Sequence, residues 1–240
     1  MTPTLKHLNR EKVEALVRQS LRARLGRDGT AAAIHAIAQG ARTSPAVGGG
    51  PNPLVVHVSA RHMHVTQEDL ETLFGPGATL TKMKDLYQEG EFASEQVVNL
   101  IGPKNRMIPG VRILGGIRKF TQIELSYTDG IYIGIDLPLR VSGDIAGTAG
   151  CVVVGPHGAI TMREGVIRAA RHVHMSAADM THYQVKDGDM MKLKIEGPCG
   201  ITMDNVKVRH HPKVKLEVHI DTDEGNACHL QGATRIELLK

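Results

Sequence analysis

The chain of 240 residues has no tryptophan, and aromatic residues make up only 3% of it. The stacking platforms that hold single-stranded nucleic acid or sugars are therefore scarce. A dominant charge sign is also missing. Against 25 Asp and Glu stand 29 Lys and Arg, a formal net charge of +4, with no basic block to track a nucleic-acid backbone. A small anionic ligand fits this balance better than RNA or DNA. The three cysteines, Cys151, Cys199 and Cys228, are odd in number and lack CxxC spacing. That argues against a disulfide framework or a thiolate zinc knuckle, and for a reducing compartment. No run of eighteen apolar residues occurs, and no apolar stretch precedes an A-x-A site near the N-terminus. Neither a membrane span nor secretion is expected, and the protein reads as cytoplasmic.

Histidine, by contrast, is abundant: thirteen residues of the commonest neutral nitrogen ligand for zinc. Their distribution depends on the organisation of the chain. Residues 9–25 place Val13, Leu16, Val17, Leu21 and Leu25 on one helical face. A Gly-, Ala- and Pro-containing tether follows to about residue 50, with a short helix expected near Ala31–Ala38. The pattern leaves open whether this amphipathic helix packs on its own body or docks on a partner. From Leu54 onward the pattern becomes strand-like: LVVHVSA, QVVNLIG, VRILGG, QIELSYT, IYIGIDL, CVVVG, MKLKIEG, ITMDNVKV and VKLEVHIDT, punctuated by Gly, Pro and Asp. An all-β body of the sandwich or barrel kind follows, with no helical stretch long enough for βαβ crossovers.

An internal repeat organises this body. Residues 59–70, SARHMHVTQEDL, match residues 169–180, AARHVHMSAADM. In each copy Ala-Arg-His-x-His is followed by a hydroxyl residue, Thr66 or Ser176, three places before Asp69 or Asp179, a signature of a capped short helix. A weaker echo links IELSYTDG (123–130) to LEVHIDTDEG (216–225). Two related barrels or half-barrels are implied.

Side chains at i and i+2 share a face on a strand and diverge on a helix. His62 with His64, and His172 with His174, can therefore each converge on one metal ion if extended. One His-x-His pair is weak evidence, since surface and core histidine pairs are common; two in a duplicated frame point to metal. Four nitrogens would serve either one closed structural site or two open sites. His219 and Glu124, on strands of the echoed segments, are candidate further ligands; their bland alternative is a cross-strand polar pair. His7, His35, His57, His157, His182, His210, His211 and His229 have no repeat partner of matching chemistry and read as structural or surface residues. A cationic, glycine-interleaved stretch, Lys104, Arg106, Arg112, Arg118 and Lys119, could cradle phosphate, against the ordinary alternative of turn and strand-edge charge.

Two family patterns compete for these motifs. HMHVTQEDLETLFG fits the cupin spacing of His-x-His, Glu68 and Gly75, but the second copy breaks that spacing. The segments HVSARHMHVT, GPKNRMIPGVRILGGIRKFTQIELS, SGDIAGTAGCVVVGP, AARHVHMS and KLEVHIDTDEGNA, in this order from about Pro53 to Leu230, resemble the propanediol-utilisation type of phosphate propanoyltransferase, a phosphotransacylase of bacterial microcompartments. The resemblance implies an all-β fold with short capping helices. Two duplicated β-barrels, residues 51–60 plus 170–240 and residues 61–169, would follow an N-terminal encapsulation-type amphipathic helix and tether in residues 1–50. The first strand would pair into the C-terminal barrel.

It also implies a reversible exchange of a short acyl group, such as propanoyl, between coenzyme A and inorganic phosphate at two zinc ions. His62 and His64 resemble the ligands of one zinc, and Glu124, His172, His174 and His219 those of the other. Arg118 resembles the catalytic, phosphate-binding arginine. Val58, Ser59, Ala60, Lys104, Arg112 and Asn226 fall where the family contacts coenzyme A, Lys104 with an alignment one residue out of the usual turn. A microcompartment location, docking on shell or core enzymes through the N-terminal helix, and a homodimer follow from the same resemblance. The contrasting class is a scaffold protein in which both His-x-His motifs are structural zinc clips.

Overall fold

The computed structural model describes residues 41–42 and 50–240. The amphipathic helix, the short helix near Ala31–Ala38 and most of the tether expected in residues 1–50 lie outside the described residues. In chain order the first half runs β1 (Ala41–Arg42), β2 (Val55–Ser59), β3 (His62–His64), α1 (Gln67–Phe74), β4 (Lys82–Asp85), β5 (Phe92–Ile101), β6 (Met107–Gly115), β7 (Gln122–Glu124), α2 (Tyr127–Ile133) and β8 (Leu139–Arg140). It continues with β9 (Val152–Val154), β10 (Ala159–Thr161), β11 (Val166–Ala169), β12 (His172–Met175), α3 (Ala177–Tyr183), β13 (Met190–Glu196), β14 (Ile201–His210), β15 (Glu217–Asp221), α4 (Thr222–Ala227) and β16 (Arg235–Leu239).

The fold is all-β with short helices, and the strands form two curled half-barrel sheets. One has the order β1-β2-β15-β12-β14-β13-β16. The other runs β10-β9-β5-β6-β3-β7-β11-β8, with β4 on β5. Each sheet covers its own apolar core: Val173, Met175, Val206, Val208, Val218 and Ile220 in one, Met63, Val111, Ile113 and Ile123 with α1 residues Leu70 and Leu73 in the other. Full burial of such a side chain contributes roughly 1.5–3 kcal/mol, so each sheet has an independent reason to curl over its core.

The halves repeat strand by strand. β3 lies between parallel β6 and antiparallel β7, and β12 lies between parallel β14 and antiparallel β15. The lead strands are exchanged reciprocally. β2 precedes β3 in sequence but pairs in parallel with β15, whereas β11 precedes β12 but pairs in parallel with β7. Each half therefore supplies one strand to the other's sheet, and the chain crosses over just ahead of each His-x-His.

Both copies of the repeat form capped helices. Thr66 Oγ1 accepts from Asp69 N (3.1 Å) to start α1, and Ser176 with Asp179 forms a complete capping box on α3. The echoed segments behave likewise: Ser126 with Asp129 opens α2, and Asp221 with Glu224 opens α4. This overrides the strand expected over IYIGIDL. The capping box commits Tyr127–Ile133 to a helix that Gly134 ends in the left-handed region (φ 88°). For the same reason the strand in QIELSYT stops at Glu124.

Candidate active site

The outward faces of the two repeats carry the histidines. Along β3, Met63 faces the core while His62 and His64 face away from it, and β12 does the same with Val173 against His172 and His174. Strand pairing supplies the third member of each group. Glu124 is the register partner of His62, and His219 is the register partner of His172. The ligating atoms of His62, His64 and Glu124 lie within 4.8 Å of one another, as do those of His172, His174 and His219. This corrects the grouping expected from sequence, which placed Glu124 with the second pair. Glu124 belongs beside His62 because β7 pairs directly with β3. Glu68, the ligand a cupin would require, is exposed in the first turn of α1 and joins neither group.

The rings are poised alike. His62 Nδ1 and His172 Nδ1 each lie 2.9 Å from the carbonyl two residues earlier, Ala60 O and Ala170 O. With Nδ1–H donated, each leaves Nε2 free as a lone-pair donor. Within each pair the rings stand edge to face, with centroids 5.1 Å apart for His62–His64 and 4.9 Å for His172–His174. His219 stacks on His172 at 4.9 Å. His64 Nδ1 is buried without a hydrogen-bond partner, an arrangement that costs free energy unless something else fills the position, whereas His219 Nε2 lies 3.0 Å from the Glu217 carboxylate. Burial, aided by the nearby His62 and Arg118 charges, pushes the His64 imidazole down to about 3. Burial, aided by His219 and Arg209, pushes His174 down to about 4. Both rings are neutral near pH 7, as metal ligation requires. Donor type and convergence fit a divalent transition metal in each group, and the unsatisfied His64 Nδ1 adds to the fit at the first.

The matched architecture is reflected in sequence comparison. A family model described as phosphate propanoyltransferase matches residues 55–231. The chain belongs to the phosphate propanoyltransferase family. It is 59% identical over 194 residues to a phosphate propanoyltransferase of Planctopirus limnophila, covering 80% of each chain. It is 46% identical over 178 residues to one of Thermotoga maritima, covering 74% of this chain and 84% of that protein. To that of Salmonella typhimurium it is 44% identical over 177 residues, covering 73% and 83%.

Around the first group, Arg118 donates its backbone N–H to Val65 O (2.9 Å), next to His64, and its guanidinium pairs with Glu91 at 2.8 Å. Arg112 is the other register partner of His62 and donates to Ser94 O at 2.6 Å. Val58 and Ser59 end the exchanged strand β2 and Ala60 follows it, just before His62. Val58 packs against Gly225, where an added Cβ would lie 2.6 Å from Val58 Cγ2, and Asn226 is the exposed neighbour on α4. Lys104 stands apart, at the β5–β6 turn. It donates to Ile131 O (3.3 Å) and lines a groove of about 240 Å³ with Tyr127, Ile131 and Asp136.

Sequence reasoning missed two residues at the second group. Glu217 is fully buried, accepts from Gln88 Nε2 at 2.6 Å, and lies 2.7 Å from His57 Nδ1 and 3.0 Å from His219 Nε2. Burial raises its carboxyl pKa, but the contacts with His219 and His57 more than reverse this and hold it well below the usual range. His57, dismissed because its repeat position is Ile167 in the other copy, stacks 6.0 Å from His219. Only the buried Glu in LEVHI, alternating out of phase with the apolar residues, hinted at this.

Proposed function

We infer that the chain is a phosphate acyltransferase that converts a short-chain acyl-CoA, such as propanoyl-CoA, and inorganic phosphate into acyl phosphate and CoA, and that it works in both directions. The single observation carrying this reading is the pair of convergent metal-ligand groups at matched positions of a duplicated fold in a member of this family. His62, His64 and Glu124 would hold one zinc, and His172, His174 and His219 the other. When bound, zinc supplies Lewis acidity toward the thioester carbonyl and stabilises the CoA thiolate.

The protein's own groups supply binding and positioning. Arg118 presents a planar fork suited to two phosphate oxygens, and the Glu91 carboxylate now on it occupies the place an oxyanion would take. Val58, Ser59, Ala60, Asn226 and Arg112 would contact CoA, with Lys104 a more distant contact. A phosphate oxygen attacks the acyl carbon, the C–S bond breaks and CoA leaves as thiolate; in reverse, that thiolate attacks the acyl phosphate. No protein thiol is needed. Burial pushes the Cys151 thiol up to about 12 and raises Cys228 as well, so neither is a nucleophile near neutral pH.

A homodimer and a microcompartment location reached through residues 1–50 belong to the same reading and rest on the amphipathic pattern of residues 9–25 and on the resemblance. The deciding assay is release of free CoA from propanoyl-CoA, with and without phosphate and with and without prior zinc removal. Release that needs both is the expected result. Release without phosphate indicates a hydrolase, and no release from a zinc-loaded protein indicates a scaffold.

A further inference from the structure

The second repeat carries, on the face of its histidines, a guanidinium that no other group among the described residues engages. β14 runs parallel to β12 with Lys207 opposite His172 and Arg209 opposite His174. Register partners project to the same face of a sheet. The alternating residues Val206, Val208, Val173 and Met175 are buried in the core, so Arg209 shares the outward face with His172 and His174. It is half-buried, and among the described residues it forms no hydrogen bond or ion pair through its side chain. The nearest carboxylate in register, Glu217, lies across His174 on β15 and is engaged by His57 and Gln88. The adjacent His210 is turned to Met175 O, 3.0 Å away. The Arg209 charge is felt at the site, where it is among the causes that depress His172 and His174.

The first repeat has no equivalent. Leu114 follows Ile113 at the place where Arg209 follows Val208, and Arg112, matching Lys207, spends its guanidinium on Ser94 O and Glu95 O. Among the described residues no protein group takes the five donors of Arg209, and its planar fork matches an oxyanion better than any neutral group.

We propose that Arg209 is an anion-binding residue of the second histidine face and takes a phosphate oxyanion, separately from Arg118 on the first. The proposal rests on the transferase reading for the identity of the anion, which belongs either to the reacting phosphate or to the phosphates of CoA. The experiment uses full-length, zinc-loaded wild type, Arg209→Gln and Arg209→Lys. Calorimetric binding of inorganic phosphate and of CoA is measured separately, beside zinc content and thermal melting. Arg209→Gln is expected to weaken one ligand by roughly 10–100-fold, the range for losing a charged hydrogen bond, with zinc content unchanged and Arg209→Lys in between. A loss confined to inorganic phosphate assigns the reacting phosphate, and a loss confined to CoA assigns the cofactor phosphates. Unchanged affinity for both, or zinc lost together with affinity, overturns the proposal. If wild type binds these ligands through Arg209 but transfers no acyl group, the transferase reading fails and the Arg209 assignment stands.

Discussion

The two histidine faces are built on one plan but differ in the third member of each group. Where β7 offers Glu124 to the first pair, β15 offers His219 to the second. With a dication bound, a His₂Glu group retains one positive charge and a His₃ group two. The surroundings diverge in the same sense. The first face has a partly exposed ion pair, Glu91 on Arg118, whereas the second has a buried carboxylate, Glu217, held against His57, Gln88 and His219. Duplication thus preserves strand order and helix caps, while the residue types separate at the third member of each group and the side chains behind it.

The strongest way to break this comparison is to remove its differing member. Glu124→Ala and His219→Ala should each leave one zinc per chain by metal analysis and lower turnover by more than about 100-fold, the upper range for disturbing merely the residues behind a ligand. Glu124→His, which makes the two groups alike, should keep two zinc ions yet remain slow. If Glu124→His matched wild type, the difference in charge between the faces would have no chemical meaning. The next largest effect separates anion binding from metal. Arg118→Ala should reduce kcat/KM for phosphate by about 10–100-fold with both zinc ions retained. Equal losses toward phosphate and toward zinc would place Arg118 in the fold rather than on the substrate.

Much of this plan is legible in the chain because it is local. The i, i+2 histidines, the Thr66–Asp69 and Ser176–Asp179 caps, and each of the echoed segments 123–130 and 216–225 are contained within a dozen residues. Strand order is not local. Nothing within reach of Glu124 in the sequence says that β7 lies against β3 rather than β12, so its grouping had to come from the register. The reciprocal exchange of β2 and β11, the 129-residue reach of Gln88 to Glu217, and the face that Arg209 shares with His174 are non-local for the same reason. IYIGIDL misled because alternating isoleucines favour a strand, until the Ser126–Asp129 box, which opens five residues upstream, starts a helix.

A smaller effect should distinguish the apo halves by acid. His64 and His174 have native pKa values near 3 and 4 against an ordinary value of 6.5. As pH falls below about 6.5 the unfolded chain takes up protons that the native rings refuse, so the stability these neutral rings contribute is intact above 6.5 and is lost progressively toward 3–4. The melting temperature of chelator-treated protein should therefore drop between pH 7.5 and pH 5. Zinc should restore most of the loss at pH 7.5 and less at pH 5, because protons compete for the same nitrogens. A flat profile would mean that these rings are not held neutral by burial.

The smallest effect concerns the cysteines, which also divide between the halves. Cys151 is buried in the core under the first face and Cys228 in the core under the second, while Cys199 is exposed. Trimming each to alanine removes one sulfur from each core and one from the surface, so the stability cost should be about 1 kcal/mol per buried site and nearly nothing at Cys199. Chemistry should be untouched, because the attacking atoms belong to phosphate and to CoA, and a thiol pushed up to about 12 is not a competing nucleophile. The triple variant, assayed well below its lowered melting temperature, should retain turnover within about twofold and bind two zinc ions. A folded, zinc-replete triple variant that had lost turnover would instead require an acyl-cysteine intermediate. Because neither buried sulfur lies on a histidine face, restoring Cys199 alone would then be the informative reversal.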